Sequence, residues 1–419
     1  MQHRDHYAPH LKRAFNGYYT RVQLADGATL AVIFCWVRKA PERKNLVLVC
    51  YTPCVRPPVV PPSQGPSTAT LAGSSTGNTT LPGDTTPGLP YPCADSRAFK
   101  YEFYPENFEL TVGPPRQPHA SFTISAPRVG HMKVTADEVE YCISVPERNL
   151  HVHLALDAHV PWDPAQPRRG PMGRILHLSS LLPLNWHVRS TASRATYAVA
   201  HHGNKVRGIG LAHVENNWGN SFPTGWIWAQ AFDAPPRADA DGSVDAPTDS
   251  EGGGEDVGGE PEEDGGPRSF AMAGGRAFMG VQAYLVGYRS PKCNWDFRPP
   301  VAMGVGKLAP FMDVRHDSRS GGVAIRLRTW RRRLEVAIEA PPETFIGMAA
   351  PLPKGHEPGF ARESFQAVVH VKAERRRWPW PWLQWEVVDE VVLGRTTDGL
   401  SCGALEFGGA FYKVGEDGV

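Results

Sequence analysis

The chain has 419 residues, 41 % of them hydrophobic and 10 % aromatic, and its 44 Lys and Arg almost cancel its 43 Asp and Glu. A formal net charge of +1 leaves no global basic field for nucleic acid, while the length admits two domains with sizeable cores. Glycine at 42 and proline at 40 are too frequent for a helical protein, and with many short Val, Tyr, Phe and Trp runs they point to an all-β chain.

No run reaches the roughly 18 apolar residues of a membrane helix. Cys35, Cys50, Cys54, Cys93, Cys142, Cys293 and Cys402 are scattered and odd in number. None stands at metal spacing with a histidine, so reduced thiols in an intracellular protein are expected. The opening Met1-Gln2-His3-Arg4-Asp5-His6 is followed by no apolar core region. Neither a secretory signal nor a plastid transit peptide is therefore expected, and the location implied is cytoplasmic or peripheral to a membrane.

Phe15–Trp36 reads as a hairpin turning at Ala25-Asp26-Gly27, and 45–51 as a further buried strand. Residues 57–92, almost purely Pro, Ser, Thr and Gly, read as a disordered surface insertion. Strand character resumes at 99–107, 108–112, 121–126, 131–135, 139–145 and 150–158, then at 175–183 and 186–200. Short strands at such spacing suggest a sandwich or barrel. A strand is expected to give out at Glu215-Asn216-Asn217, with an irregular turn and a second strand through Trp226 and Trp228. Polar side chains beside large aromatics there suggest a pocket rim or floor.

Phe15-x-Gly17-Tyr18-Tyr19…Gln23 can be laid beside Phe222-x-x-Gly225-Trp226-Ile227-Trp228…Gln230 as an internal repeat. In the second copy the turn opens into 234–268, a Gly/Asp/Glu/Pro tract read as a second disordered insertion. Strands follow at 276–288, 303–313, 323–329, 331–339, 365–372, 385–393 and 405–414. Two β domains are inferred, 1–210 and 211–419.

Three stretches carry a family resemblance. Glu215-Asn216-Asn217-Trp218-Gly219, Phe222-Pro223 and Trp226-Ile227-Trp228-Ala229-Gln230 together resemble the Glu-Lys-Asn-Trp-Gly…Phe-Pro…Trp-x-Trp-x-Gln signature of tocopherol cyclases. Phe15-Asn16-Gly17-Tyr18-Tyr19 resembles that family's opening, and Leu405-Glu406-Phe407-Gly408-Gly409 its closing segment; Leu182–His187 is a fourth, weaker match. Asn216 stands where the family has Lys. The resemblance implies two lipocalin-like domains around an apolar pocket, as in the related carotenoid hydratases and fungal Diels–Alderases. It also implies a cofactor-free intramolecular cyclase that protonates a prenyl alkene and closes a chromanol ring on a prenylated hydroquinone.

Such chemistry needs a placed acid in a dry pocket. Glu215 is the candidate acid and Asn217 its orienter, against a structural role in which Glu215 caps a turn or pairs with Arg194 or Arg207. Trp186, Trp218, Trp226, Trp228, Tyr18 and His187 are the candidate walls, since aromatic faces stabilise cations and shelter apolar chains. Trp226 and Trp228 must share a strand face. His151 and His153 also share one, but no third ligand is placed beside them, so no metal is expected. Arg375–Trp385, arginines beside tryptophans and prolines, reads as a barrel plug or as a contact with a membrane or lipid droplet. A hydratase or pericyclic cyclase on the same fold, or a non-catalytic carrier of an apolar ligand, are the rival functions.

Overall fold

The computed structural model describes residues 6–54, 97–114, 121–180, 182–233, 267–276, 280–306, 308–376 and 384–412. The insertions expected at 57–92 and over most of 234–268, and residues 377–383 of the Arg/Trp stretch, lie outside the described residues. Among the described residues no helix is long and apolar enough to cross a membrane.

The fold is nearly all-β, with two curled half-barrel sheets. The first sheet is built from β1 Phe15–Leu24, β2 Thr29–Val37, β3 Asn45–Thr52, β4 Phe99–Phe103, β5 Glu109–Val112, β6 Phe122–Ala126, β7 Gly130–Val134, β8 Val139–Val145, β9 Leu150–Val160, β10 Leu184–His201 and β11 Asn204–Gly219. Its order is β4-β3-β2-β1-β11-β10-β9-β8-β7-β6-β5. The second is built from β12 Gly225–Phe232, β13 Ser269–Arg276, β14 Val281–Ser290, β15 Cys293–Phe297, β16 Met303–Val305, β17 Met312–Asp317, β18 Gly322–Arg328, β19 Arg332–Glu339, β20 Ile346–Leu352, β21 Gly355–Arg376, β22 Trp385–Leu393 and β23 Gly403–Gly409. Its path is β15-β14-β13-β12-β23-β21-β19-β18-β17, with β16 on β14 and β20 and β22 on β21.

The first hairpin forms for a local reason. Gly27 sits at φ +81°, which costs glycine little. The Asp26 carboxylate accepts the Ala28 N–H at 3.0 Å, and Leu24 and Ala28 close the turn.

Three expectations are corrected. The change of domain expected at 210/211 falls inside β11, which stays in the first sheet to Gly219; the chain crosses to the second sheet between Gly219 and Gly225. Glu215-Asn216-Asn217 is accordingly mid-strand, because β1 and β10 pair with it on both sides. The strand expected at 175–183 contains a 3-10 turn over Gly173–Leu178. Its apolar residues do not alternate, and only Leu176 of that turn is buried.

Period-two alternation sorts most buried side chains into three main cores. Tyr18, Val22 and Leu24 of β1 join Ala212 and Val214 of β11 inside the first half-barrel. Ile227, Ala229 and Ala231 of β12 join Leu405 and Phe407 of β23 inside the second. The opposite faces of these strands meet in a third cluster that includes Cys35, Leu48, Trp226, Trp228, Met348 and Phe365. The two sheets are thus joined through β1–β3, β12, β20, β21 and β23.

Candidate functional site

The interface face of β11 presents His213, Glu215 and Asn217. In register, Glu215 stands opposite Tyr19 of β1 and Val188 of β10. It is 2 % exposed and is surrounded by groups able to donate. Trp186 and Trp228 donate their indole N–H groups to Oε2 at 2.9 and 3.0 Å. His213 Nε2 lies 2.9 Å from the same oxygen, and Asn217 donates to Oε1 at 2.8 Å. Tryptophan can only donate, so this carboxylate is set up as an acceptor.

The second sheet contributes two more carboxylates to the same face. Glu363 of β21 is directly opposite Glu406 of β23, and Glu406 is opposite Trp228 of β12. The Tyr19 hydroxyl donates to Glu363 Oε1 at 2.6 Å; the Trp226 indole donates to Glu406 Oε1. Glu363 is fully buried, and its Oε2 has no hydrogen-bond partner among the described residues. Glu406 is half-buried, with an open side to the cavity they share.

That cavity holds about 130 Å³ between the two sheets. Phe15, Tyr19, Phe222, Trp226 and Trp228 are its aromatic walls, and Glu215, Asn217, Glu363 and Glu406 its main polar groups. Gly408, opposite Trp226, is required here. A Cβ at Gly408 would lie 2.0–2.4 Å from the Trp226 ring, so only glycine lets the indole lie across β23.

Burial chiefly pushes the Glu363 carboxyl well above the usual carboxylate range, and the charge of Glu406 adds to it. Burial, opposed by the Trp226 hydrogen bond and reinforced by the charge of Glu215, raises Glu406 to about 7. Burial and then the charge of Glu363 raise the Tyr19 phenol. The cavity therefore contains carboxyls that hold protons near neutral pH, beside one anchored among donors.

Of the candidates named from sequence, Glu215, Asn217, Trp226 and Trp228 line the cavity; Tyr18 borders it, but its ring is turned into the first core beside Tyr7 and Phe122. Trp186 does not line it. It supports Glu215 from behind, its ring edge-on to Trp162 at 5.6 Å. Trp218 and His187 are placed elsewhere. Trp218 is one residue out of phase with Asn217, stacks on His10 at 3.9 Å and packs with Met172 and Leu176. His187 is opposite Asn216 and so faces away from Glu215 as well. The pairings weighed for Glu215 also resolve: Arg194 forms a bidentate surface pair with Asp157, and Arg207 is exposed near the start of β11.

Glu363 was not among the residues singled out; Tyr19 figured only inside the opening resemblance and Glu406 only inside the closing one. A signal existed for Glu406, a single acid between Leu405 and Phe407 in an apolar strand. Glu363 lies in Arg362-Glu363-Ser364, which reads as ordinary polar surface.

The repeat has a structural counterpart. β1 and β12 each pair with the last strand of their own sheet, β11 and β23. Tyr19 thereby faces Glu215 as Trp228 faces Glu406.

No protein-family model matches the chain, and no curated protein matches it. Solved structures do align with most of its length. An AttH-like protein from Nitrosomonas europaea aligns over 98 % of this chain and 97 % of its own, with TM-score 0.44 and 9 % identity. CghA, also solved with Sch210972, aligns over 95 % and 88 % with TM-score 0.45 and 10 % identity. Kievitone hydratase from Nectria haematococca aligns over 97 % and 92 % with TM-score 0.44 and 8 % identity.

Proposed function

We propose that the cavity between the sheets is the active site of an acid–base cyclase acting on an apolar, unsaturated small molecule, in the manner of a tocopherol cyclase. The observation that carries this reading is Glu363. It is a buried, proton-retaining carboxyl with one oxygen unpartnered among the described residues, in a cavity walled by aromatic rings.

The acid role expected of Glu215 passes to Glu363 in this reading. Glu215 is occupied by four contacts, three of them certain donors. Its charge instead helps to keep Glu363 and Glu406 protonated, and Asn217, Trp186 and Trp228 hold it in place. Glu363 gives its proton to the less substituted carbon of a prenyl double bond. The tertiary cation that results is stabilised by the faces of Trp226, Trp228 and Tyr19. The phenol oxygen of the substrate captures the cation and closes the ring, and its proton returns to the carboxylate pair. Substrate and product are isomers, so the step requires no co-reactant. Positioning in a water-poor site favours ring closure over hydration.

The test is incubation of the purified protein with 2,3-dimethyl-6-phytyl-hydroquinol, followed by chiral chromatography. A single chromanol enantiomer is expected, with its rate reduced about 10²–10⁴-fold in Glu363→Gln. Unchanged turnover in that variant would remove the acid. A tertiary alcohol in place of the chromanol would mark a hydratase, and binding without product a carrier.

A further inference from the structure

On the outer face of the first half-barrel, far along the sheet from the cavity strands, three neighbouring strands bring together residues that no part of the proposed function uses. His131 of β7 is directly opposite Cys142 of β8. Cys142 is in turn directly opposite His153 of β9. Glu140 is two residues from Cys142 and so shares its face. We propose that His131, Glu140, Cys142 and His153 form a binding site for a transition-metal dication, zinc being the best match.

The distances support this assignment. One ligand atom each from His131, Glu140 and Cys142 all lie within 4.8 Å of one another. His153 Nε2 is 3.2 Å from Glu140 Oε1, and Cys142 Sγ is 3.7 Å from the same oxygen. Tetrahedral zinc, with bonds of about 2.0–2.3 Å, holds its donor atoms roughly 3.3–3.8 Å apart. His131, Glu140 and Cys142 lie within about 1 Å of those spacings, and rotation of the exposed His153 side chain, already against Glu140, would bring in the fourth donor. Two imidazoles, one thiolate and one carboxylate match a borderline-soft metal. Calcium or magnesium, which prefer all-oxygen shells, would be poor occupants.

The scaffold keeps these side chains in register. Each ligand alternates with residues fixed in the barrel core: Met132 on β7, Tyr141 and Ile143 on β8, Val152 and Leu154 on β9. A one-residue slip would expose all of them, so the outward row of His131, Cys142 and His153 is as well specified as the core itself. His131, Glu140 and Cys142 are half-buried and His153 is exposed, which leaves the metal open to a water or a further ligand from solution. Binding displaces the Cys142 thiol proton to solvent and forms one metal–sulfur bond, so metal uptake releases acid.

The sequence alone did not show this cluster. His151 and His153 were the visible pair, but His151 bonds to Ser144 at 3.0 Å, and the additional donors come from strands 11 to 22 residues earlier in the chain.

The experiment uses the full-length chain, stripped with chelator and titrated with Co2+ and then Zn2+. We expect one equivalent of Co2+ to give a thiolate-to-cobalt charge-transfer band in the near ultraviolet, with d–d bands of tetrahedral intensity, both displaced by Zn2+. Cys142→Ser should abolish the charge-transfer band while its thermal melt without metal stays that of the parent. His131→Ala and His153→Gln should each weaken Zn2+ binding on the order of ten-fold or more. Zinc should raise the melting temperature of the parent chain only. Absence of a thiolate band, a band that survives Cys142→Ser, or affinities unchanged in both histidine variants would overturn the proposal. Glu140 and His153 would then be an ordinary surface ion pair.

Discussion

Strands near the junction of the two sheets differ sharply from strands at the periphery. All eight residues of β3 are buried, as are all eight of β12. β8 and β18 bury every second residue and leave the intervening ones at least partly exposed. The peripheral strands meet water on one side, so hydrophobic alternation alone describes them. The junction strands have two protein faces, and polar residues on the second face have no bulk water to solvate them. Tyr19, Glu215, Glu363 and Glu406 are on that second face. The raised pKa values of Tyr19, Glu363 and Glu406, and the hydrogen bonds that hold all four groups, follow from placement between two sheets, which a single sheet with a solvated side would not impose.

The sharpest way to break the contrast is to empty the centre of the junction. Glu215→Ala would leave the Trp186 and Trp228 indoles, His213 and Asn217 without their shared acceptor. A loss of about 3–5 kcal/mol in unfolding free energy is expected, read as a lower denaturation midpoint with an unchanged denaturant slope. A midpoint equal to that of the parent would show that the four contacts contribute nothing net.

A peripheral counterpart should cost stability without touching chemistry. Ile325 of β18 is 3 % exposed in the second core. Ile325→Ala should destabilise by about 2–4 kcal/mol. The turnover number and KM, measured well below the new melting point, should not change; a selective fall in turnover would mean that the periphery controls the site.

A third effect is in the pH dependence. Glu406 has a folded-state value of about 7, above the ordinary 4.5. The folded chain therefore retains a proton that the unfolded chain has already lost. Between roughly pH 4.5 and 7 this group lowers stability as pH rises, and above that window its contribution is flat. Glu406→Gln can still accept the Trp226 N–H, so it should remove that slope while leaving the acid limb of the curve in place. Parallel stability curves for parent and variant across the window would contradict the assignment.

The same contrast explains what could be read from the chain. The Glu215–Trp228 stretch was legible because period two forces Glu215 and Asn217 onto one face, and Trp226 and Trp228 onto another. The structure turns both faces to the same cavity. The hairpin at Asp26-Gly27 was legible because turn chemistry is local. The phase of Trp218 and His187 was not respected, since sequence proximity to Glu215 and Trp186 outweighed alternation. Glu363 was out of reach for a different reason. β21 runs from Gly355 to Arg376, pairing first with β20 and β23 and then with β19 and β22. The part that carries Glu363 looks polar, and only its docking against Tyr19, 344 residues away, buries it.

The crossing between Gly219 and Gly225 has a consequence for how this protein could be divided. Glu215 and Tyr19 belong to the segment before it, and Glu363, Glu406 and both cavity-lining tryptophans to the segment after it. A chain cut there would yield two pieces, each with its own first and last strands paired and neither with a complete site. Turnover would then report the reunion of the pieces, as in fragment complementation, and would disappear on dilution well before either sheet lost its own core.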